Sequence, residues 1–248
     1  MQELKISVVT VCLNTVDTIE ETIESVLGQT YSRIEYVIVD GMSIDGTLEV
    51  IQKYEKTQRI KMVSGKDRGL YHAMNKGIDL CTGDYILFLN SGDVFADRNA
   101  VSEVIAHTYL MPDIIYGNVT KIYQNQSITE RYSGKKKVFK LLMTGKMPCH
   151  QGIFTKASVL KKFRFDESYQ ICADFDFLMR CVREHVSMQY VDVVVSVVDC
   201  VTGISSRKDN LDRMRAEDDR SIRKNYPVLY YLMKPVKALV RKYWQPQG

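Results

Sequence analysis

Short apolar runs alternate with stretches of helical periodicity through the first 95 residues. Ile6 to Val11, Tyr36 to Val39, Lys61 to Val63 and Tyr85 to Leu89 read as buried strands. Between them, Ile19, Ile23, Val26 and Leu27 recur at helical spacing, as do Leu48, Ile51 and Tyr54, and then Leu70, Met74, Gly77 and Ile78. Thr18-x-x-Glu21 has the form of a capping box for the first helix. The order β-α-β-α-β-α-β predicts an α/β fold, a mostly parallel central sheet with helices on both faces. Right-handed crossovers would bring the strand ends to one rim.

After Asp93 the alternation weakens. Val101, Val104, Ile105 and Tyr109 mark a helix, and Asp113 to Tyr116, Gly152 to Thr155 and Val191 to Val198 read as strands. Phe175, Leu178, Met179 and Val182 mark a helix starting near Asp174, and Asn210 to Asn225 a charged helix with a thin apolar stripe. Arg131 to Met147 carries six cations and no acid, and reads as a mobile basic loop. Gly203 to Ser206 closes the compact part. We divide the chain into a domain over 1–206, with halves 1–95 and 96–206, and a charged helix with a basic amphipathic tail over 207–248.

Three carboxylates follow strands: Asp40, Asp67 and Asp93. Open α/β sheets bind ligands at the carboxyl ends of their strands, so the three suggest one polar site. Asp40 opens a Gly- and Ser-rich turn and can accept a hydrogen bond from a base or ribose group. Asp67 is followed by Arg68, a cation suited to a diphosphate. Asp93, on the abrupt turn after Gly92, suits a hard divalent ion that takes its remaining ligands from phosphate and water. Each alone is most often a turn or cap residue. No Gly-x-x-x-x-Gly-Lys-Ser/Thr occurs, and no Gly-x-Gly-x-x-Gly follows the first strand, which disfavours a P-loop enzyme and a dinucleotide dehydrogenase.

The segments Ile6 to Asn14, Val39 to Thr47, Asp67-Arg68-Gly69-Leu70-Tyr71-His72-Ala73-Met74-Asn75-Lys76-Gly77 and Phe88-Leu89-Asn90-Ser91-Gly92-Asp93 together resemble family 2 glycosyltransferases of GT-A fold. With Cys149-His150-Gln151-Gly152 and Cys172-Ala173-Asp174-Phe175-Asp176, the chain is similar to the colanic-acid type of bacterial polysaccharide transferases. The resemblance spans the 1–206 domain and is strongest in the first half, which would bind the nucleotide sugar; the second half would carry acceptor and catalytic residues. It implies that Thr10, Asn14 and Asp40 hold the nucleoside of a nucleotide-diphosphate sugar, with Asp67, Arg68, Asn75 and Gly92 continuing that site. Asp93 matches the last acid of the family's metal-binding Asp-x-Asp, implying Mn²⁺ or Mg²⁺. Asn90 and Gly92 stand where many members have Asp. Asp174 matches the catalytic base, although Ala173 stands where the family usually has Glu. One carboxylate must take the acceptor's hydroxyl proton in an inverting displacement. Asp174 and Asp176 point about 200° apart on a helix, so only one can face the donor. Asp176, with His150 and Gln151, is left as a candidate contact to sugar or acceptor. His150 could equally be structural, and His72 reads as a packing or surface residue.

The implied activity is an inverting, hexosyl-type transferase acting on a growing, lipid-linked surface glycan. Composition is consistent with a folded chain: 45% hydrophobic and 26% charged residues. The net charge of +4 does not suggest a nucleic-acid partner, and the last 21 residues alone hold four cations and no acid. There Leu229, Leu232, Met233, Val236, Leu239, Val240 and Tyr243 form a stripe interrupted by Pro235, so membrane-surface contact through 228–244 competes with packing on protein. The six cysteines include no Cys-x-x-Cys pair, and we expect buried thiols in a cytoplasmic protein without a signal peptide, peripheral at the membrane's inner face. Two other readings stay open: a nucleotide-binding scaffold without turnover, motivated by Asn90, Gly92 and Ala173, and a nucleotidyltransferase on a similar core.

Overall fold

The computed structural model describes residues 4–56, 60–132, 147–201 and 208–232. Its first half alternates as the pattern predicts: β1 (Ile6–Cys12), α1 (Ile19–Leu27), β2 (Ile34–Asp40), α2 (Thr47–Glu55), β3 (Lys61–Ser64), α3 (Leu70–Leu80) and β4 (Tyr85–Phe88). β1 pairs in parallel with β2 and β4, and β3 joins β2 in parallel. Alternate side chains of a strand point to opposite faces. Val9, Val11, Val37 and Val39 accordingly pack with α3, whereas Ile6, Val8, Tyr36 and Ile38 pack with α1 and α2. Burial on both faces is why these strands read as continuous apolar runs. Gly77 lets α3 lie close to the sheet, since a Cβ there would sit 2.5 Å from Val9 Cγ1.

The second half holds β5 (Val94–Phe95), α4 (Ala100–Ala106), β6 (Ile114–Tyr123), β7 (Gln126–Glu130), β8 (Ile153–Lys156), α5 (Ala157–Phe163), α6 (Ala173–Arg183), β9 (Met188–Asp199) and α7 (Leu211–Asn225). β8 runs antiparallel between β4 and β6, so one sheet continues across both halves in the order β3-β2-β1-β4-β8-β6-β9-β5, with β7 on β6. The parallel part is thus the first half, joined by the parallel pair β6–β9; β5, β7 and β8 are antiparallel to their neighbours. The strand expected at 113–116 extends to Tyr123, and β5, β7 and α5 were not anticipated. The helix expected to reach Tyr109 stops at Ala106. The capping box does not form: the Thr18 hydroxyl makes no cap bond and lies 3.2 Å from Ser91 Oγ, tying α1 to the loop after β4.

α7 is docked on α6 through buried polar groups. Asp176 accepts hydrogen bonds from Ser221 Oγ (3.0 Å) and Asn225 Nδ2 (3.2 Å). The chain remains helical over 227–232, where Leu229 and Tyr230 pack on the core and Val228, Tyr231 and Leu232 are exposed. The rest of the expected tail stripe, most of the basic loop and Gly203 to Ser206 lie outside the described residues. Among the described residues, no helix is long and apolar enough to cross a membrane. Cys12, Cys81, Cys172 and Cys181 are buried.

Candidate active site

The ends of β1 and β2 form one side of the site. Asp40, 0% exposed, accepts bonds from the backbone N–H groups of Met42 and Ser43 and from the hydroxyls of Ser43 and Ser64. Asn14, at φ 53°, accepts at Oδ1 from Ile44 N–H (2.9 Å) and clips the β1 end to this loop. Asp67 pairs with Lys76 (2.6 Å) and His72 (3.0 Å) through Oδ1, while its Oδ2 is buried without a hydrogen-bond partner. Arg68 is largely exposed and pairs with Glu167 at 2.7 Å.

Three of the expected nucleotide contacts are engaged by protein groups. The Thr10 hydroxyl is fully buried, donating to Leu89 O (2.6 Å) beside Tyr36 OH. Asn75 is buried and holds Phe165 through both its backbone N–H and its carbonyl. The Asp40 carboxylate is spent on its own loop. All three side chains are buried. His72 is likewise more specific than a packing residue, because it braces Asp67.

The end of β4 forms the other side. Gly92 adopts φ +95°, a conformation that resists a side chain. Its N–H donates to Thr22 Oγ1 at 3.0 Å, fixing the turn that presents Asp93. Asp93 is 5% exposed; one oxygen accepts from Gln151 Nε2 (2.8 Å) and the other from Asp199 N–H (3.1 Å). Burial raises its pKa to about 6, against the opposing pull of Gln151 and His150. Gln151 and His150 belong to a short 3₁₀ turn, His150–Gly152. His150 Nδ1 lies 3.0 Å from Asp174 Oδ2, and its Nε2 lies 3.2 Å from Asn90 Nδ2.

Asp174 sits in the first turn of α6, where its Oδ1 accepts from Phe175 N–H (2.9 Å) and lies 3.2 Å from Tyr71 OH. Tyr71 is raised well above the usual tyrosine range by burial and by the Asp174 charge, so it stays a hydroxyl. Because Tyr71 opens α3 two residues after Gly69, it joins the Asp67–Arg68 side to Asp174. Contacts therefore run from Tyr71, three residues after Arg68 in the chain, through Asp174 and His150 to Asn90 at the β4 end.

Asp176 does not belong to this line, contrary to expectation. It is 0% exposed and bonded by Arg180 Nε (2.7 Å), Tyr169 OH, Ser221 and Asn225. No oxygen is left for sugar or acceptor. A residue the sequence reading missed is Glu217 of α7. Its carboxylate accepts from the backbone N–H groups of Gln170, Ile171 and Cys172, each at 2.9 Å, just before α6 begins. A carboxylate at a helix N-terminus meets unsatisfied amides and the positive end of the dipole. No local pattern marks it, since it lies in a solvated-looking charged helix.

Among the described residues, no group of three His, Cys, Asp or Glu forms a metal cage. Asp93 nonetheless fits a hard cation. It is a buried carboxylate that, among the described residues, accepts from the neutral Gln151 amide and the Asp199 N–H, and Mg²⁺-type ions use one or two carboxylates plus substrate phosphates. The residues suit an ion brought with a diphosphate, not one held by protein alone.

Comparison with known proteins agrees with this architecture. The family described as "Glycosyl transferase family 2" matches residues 7–183. A "PGL/p-HBAD biosynthesis glycosyltransferase" of Mycobacterium bovis is 29% identical over 206 residues, covering 81% of this chain and 78% of the relative. A "Putative teichuronic acid biosynthesis glycosyltransferase TuaG" of Bacillus subtilis is 41% identical over 90 residues, 36% of each chain. Among solved structures, S. aureus TarS 1-349 in complex with UDP-GlcNAc superimposes with TM-score 0.69 at 18% identity, over 90% of this chain and 68% of TarS. The mannosyltransferase PcManGT of Pyrobaculum calidifontis, in complex with GDP-Man and Mn²⁺, does so with TM-score 0.67 at 16% identity, over 90% and 64%. These likenesses identify the fold as GT-A.

Proposed function

The chain belongs to glycosyl transferase family 2 and is a glycosyltransferase of glycan biosynthesis; from that premise we propose that it transfers a sugar, with inversion, from a nucleotide-diphosphate sugar to a hydroxyl of a lipid-linked surface glycan. The observation that carries this reading is the line of contacts from Tyr71 through Asp174, His150 and Asn90 to the Asp93 turn, with Asp67 and Arg68 on the loop that leads into Tyr71.

In the proposed reaction, an acceptor oxygen forms a bond to the anomeric carbon as the bond to the diphosphate breaks. Asp174 takes the hydroxyl proton, and the electron pair of the broken bond leaves on the nucleoside diphosphate. Asp67, with its unpartnered Oδ2, and Asn14 line the nucleoside end. Arg68 turns from Glu167 to the diphosphate. Gln151 holds Asp93, which would bind a divalent ion supplying charge stabilisation to the leaving diphosphate. The TarS and PcManGT complexes with nucleotide sugars favour this reading over a scaffold or a nucleotidyltransferase.

The test is to incubate the protein with a panel of UDP-, GDP- and dTDP-sugars, with and without Mn²⁺, and to follow nucleoside diphosphate release. One donor class should turn over, and Asp93→Asn should raise the Mn²⁺ requirement by at least the roughly 10–100-fold typical of losing an outer metal-site partner. Protons compete with the ion for a buried carboxylate, so the Mn²⁺ requirement should rise as pH falls through about 6. Nucleotide binding without any turnover would favour the scaffold, and pyrophosphate release from a triphosphate would favour the nucleotidyltransferase.

Exposed Val228, Tyr231 and Leu232, followed in sequence by Lys234, Lys237, Arg241 and Lys242, support contact with an anionic membrane surface. The full chain should cosediment with phosphatidylglycerol vesicles in a salt-sensitive way, and a chain ending at 227 should not. Equal sedimentation of both would remove the tail from membrane binding.

A further inference from the structure

The Asn90 amide, at the end of β4, lies against the His150 ring. Nδ2 lies 3.2 Å from His150 Nε2. The Asp174 carboxylate on the far side of the ring can only accept, which places the ring proton on Nδ1 and leaves the Nε2 lone pair to accept from the Asn90 amide. That Nδ1–H faces Asp174 Oδ2 at 3.0 Å. The other Asp174 oxygen is held by Phe175 N–H (2.9 Å) and lies beside Tyr71 OH, so the carboxylate is fixed from both sides.

We propose that Asn90 and His150 are positioning residues for the base: Asn90 locks His150 as the Nδ1–H tautomer, and His150 aims Asp174 at the acceptor hydroxyl. The inference rests on the reading of Asp174 as that base. It also gives Asn90 a chemical reason. An Asp at 90 could only accept, which would call for a proton on Nε2. The ring would then either turn a lone pair toward Asp174 or carry two protons between two carboxylates. Asn90 and His150 are therefore matched, and restoring the family's acid would damage this site. A role for position 90 in metal binding leads to the opposite expectation.

The experiment uses the full chain. With only four histidines, imidazole ¹⁵N spectra can be assigned by comparing wild type with His150→Asn. His150 should show a protonated Nδ1 and unprotonated Nε2, and Asn90→Asp should abolish that pattern. With the donor found in the sugar-nucleotide panel, His150→Ala should lower kcat on the order of 10- to 100-fold with donor KM nearly unchanged, a loss typical of a misaimed reacting group. His150→Asn, whose amide can still donate to Asp174, should recover part of it. Asn90→Asp should lower kcat despite the added acid. A doubly protonated or Nε2–H ring in the wild type, or an Asn90→Asp enzyme as fast as wild type, would overturn the proposal. Asp174→Asn at full speed would instead remove the base reading, whereas an inactive Asp174→Asn beside an unaffected His150→Ala would sink this inference alone.

Discussion

Asp174→Asn should lower kcat by roughly 10²–10⁴-fold, the range that a positioned general base contributes, while donor affinity stays within about threefold of wild type. The substitution is isosteric, and the amide oxygen can still accept one of the two bonds that orient the carboxylate now, from His150 Nδ1 at the Oδ2 position or from Phe175 N–H at the Oδ1 position. What is lost is a group able to hold the acceptor's proton as the new glycosidic bond forms. Donor binding is expected to survive because the nucleoside side, Asp67 with Lys76 and His72, contacts Asp174 only through Tyr71 at the start of α3. Calorimetric titration of the nucleoside diphosphate into both proteins separates binding from chemistry. A variant that retains more than about a tenth of the wild-type kcat would take Asp174 out of the proton-transfer step, since even the low end of general-base catalysis exceeds that.

Glu217→Ala should be the most destabilising change outside the apolar core, by about 2–4 kcal/mol. Three backbone N–H groups, those of Gln170, Ile171 and Cys172, lose their common acceptor. Each buried group left unsatisfied costs about 1–3 kcal/mol, and water entering the gap recovers part. For a chain of this length, that corresponds to a fall in Tm of roughly 5–15 °C. The same segment leads directly into the first turn of α6, so kcat should fall as well while the nucleoside diphosphate Kd holds. Glu217→Gln should lie between, because one carbonyl oxygen still accepts. A Glu217→Ala protein with unchanged Tm and kcat would show that the α7 carboxylate neither holds the loop nor presets Asp174.

The nucleotide-side half was legible because its strands are buried on both faces and its helices carry one apolar face, which makes both periods visible in sequence. The same logic fails where burial is one-sided. β7, Gln126–Glu130, is almost wholly exposed and offers no apolar run, and β5 is only two residues long. Thr18 and Glu21 have the right spacing for a capping box, yet the Thr18 hydroxyl is drawn to Ser91 from the loop beyond β4, a tertiary partner 73 residues away. Among site residues, His150 meets Asp174, its neighbour Gln151 meets Asp93, and Asp67 and Arg68 lie on the loop leading into α3, whose Tyr71 meets Asp174. Thr10, Asp40, Asn75 and Asp176 have the residue type of ligand contacts but are buried and bonded to protein. Sequence shows which side chains can accept or donate, not which are already satisfied. Asp176 illustrates the difference: its Arg180 partner is visible at i+4, but Ser221 and Asn225 come from a helix 45 and 49 residues on. Glu217 was invisible for the same reason.

The most direct measurement is a crystal structure of the full chain with an unreactive nucleotide-diphosphate sugar analogue and Mn²⁺. The account predicts the nucleoside beside Asp67, the diphosphate between Arg68 and Asp93, and the anomeric carbon facing Asp174 on the side away from the leaving diphosphate. A nucleotide seated on another surface, or a sugar whose anomeric carbon faces away from Asp174, would contradict it.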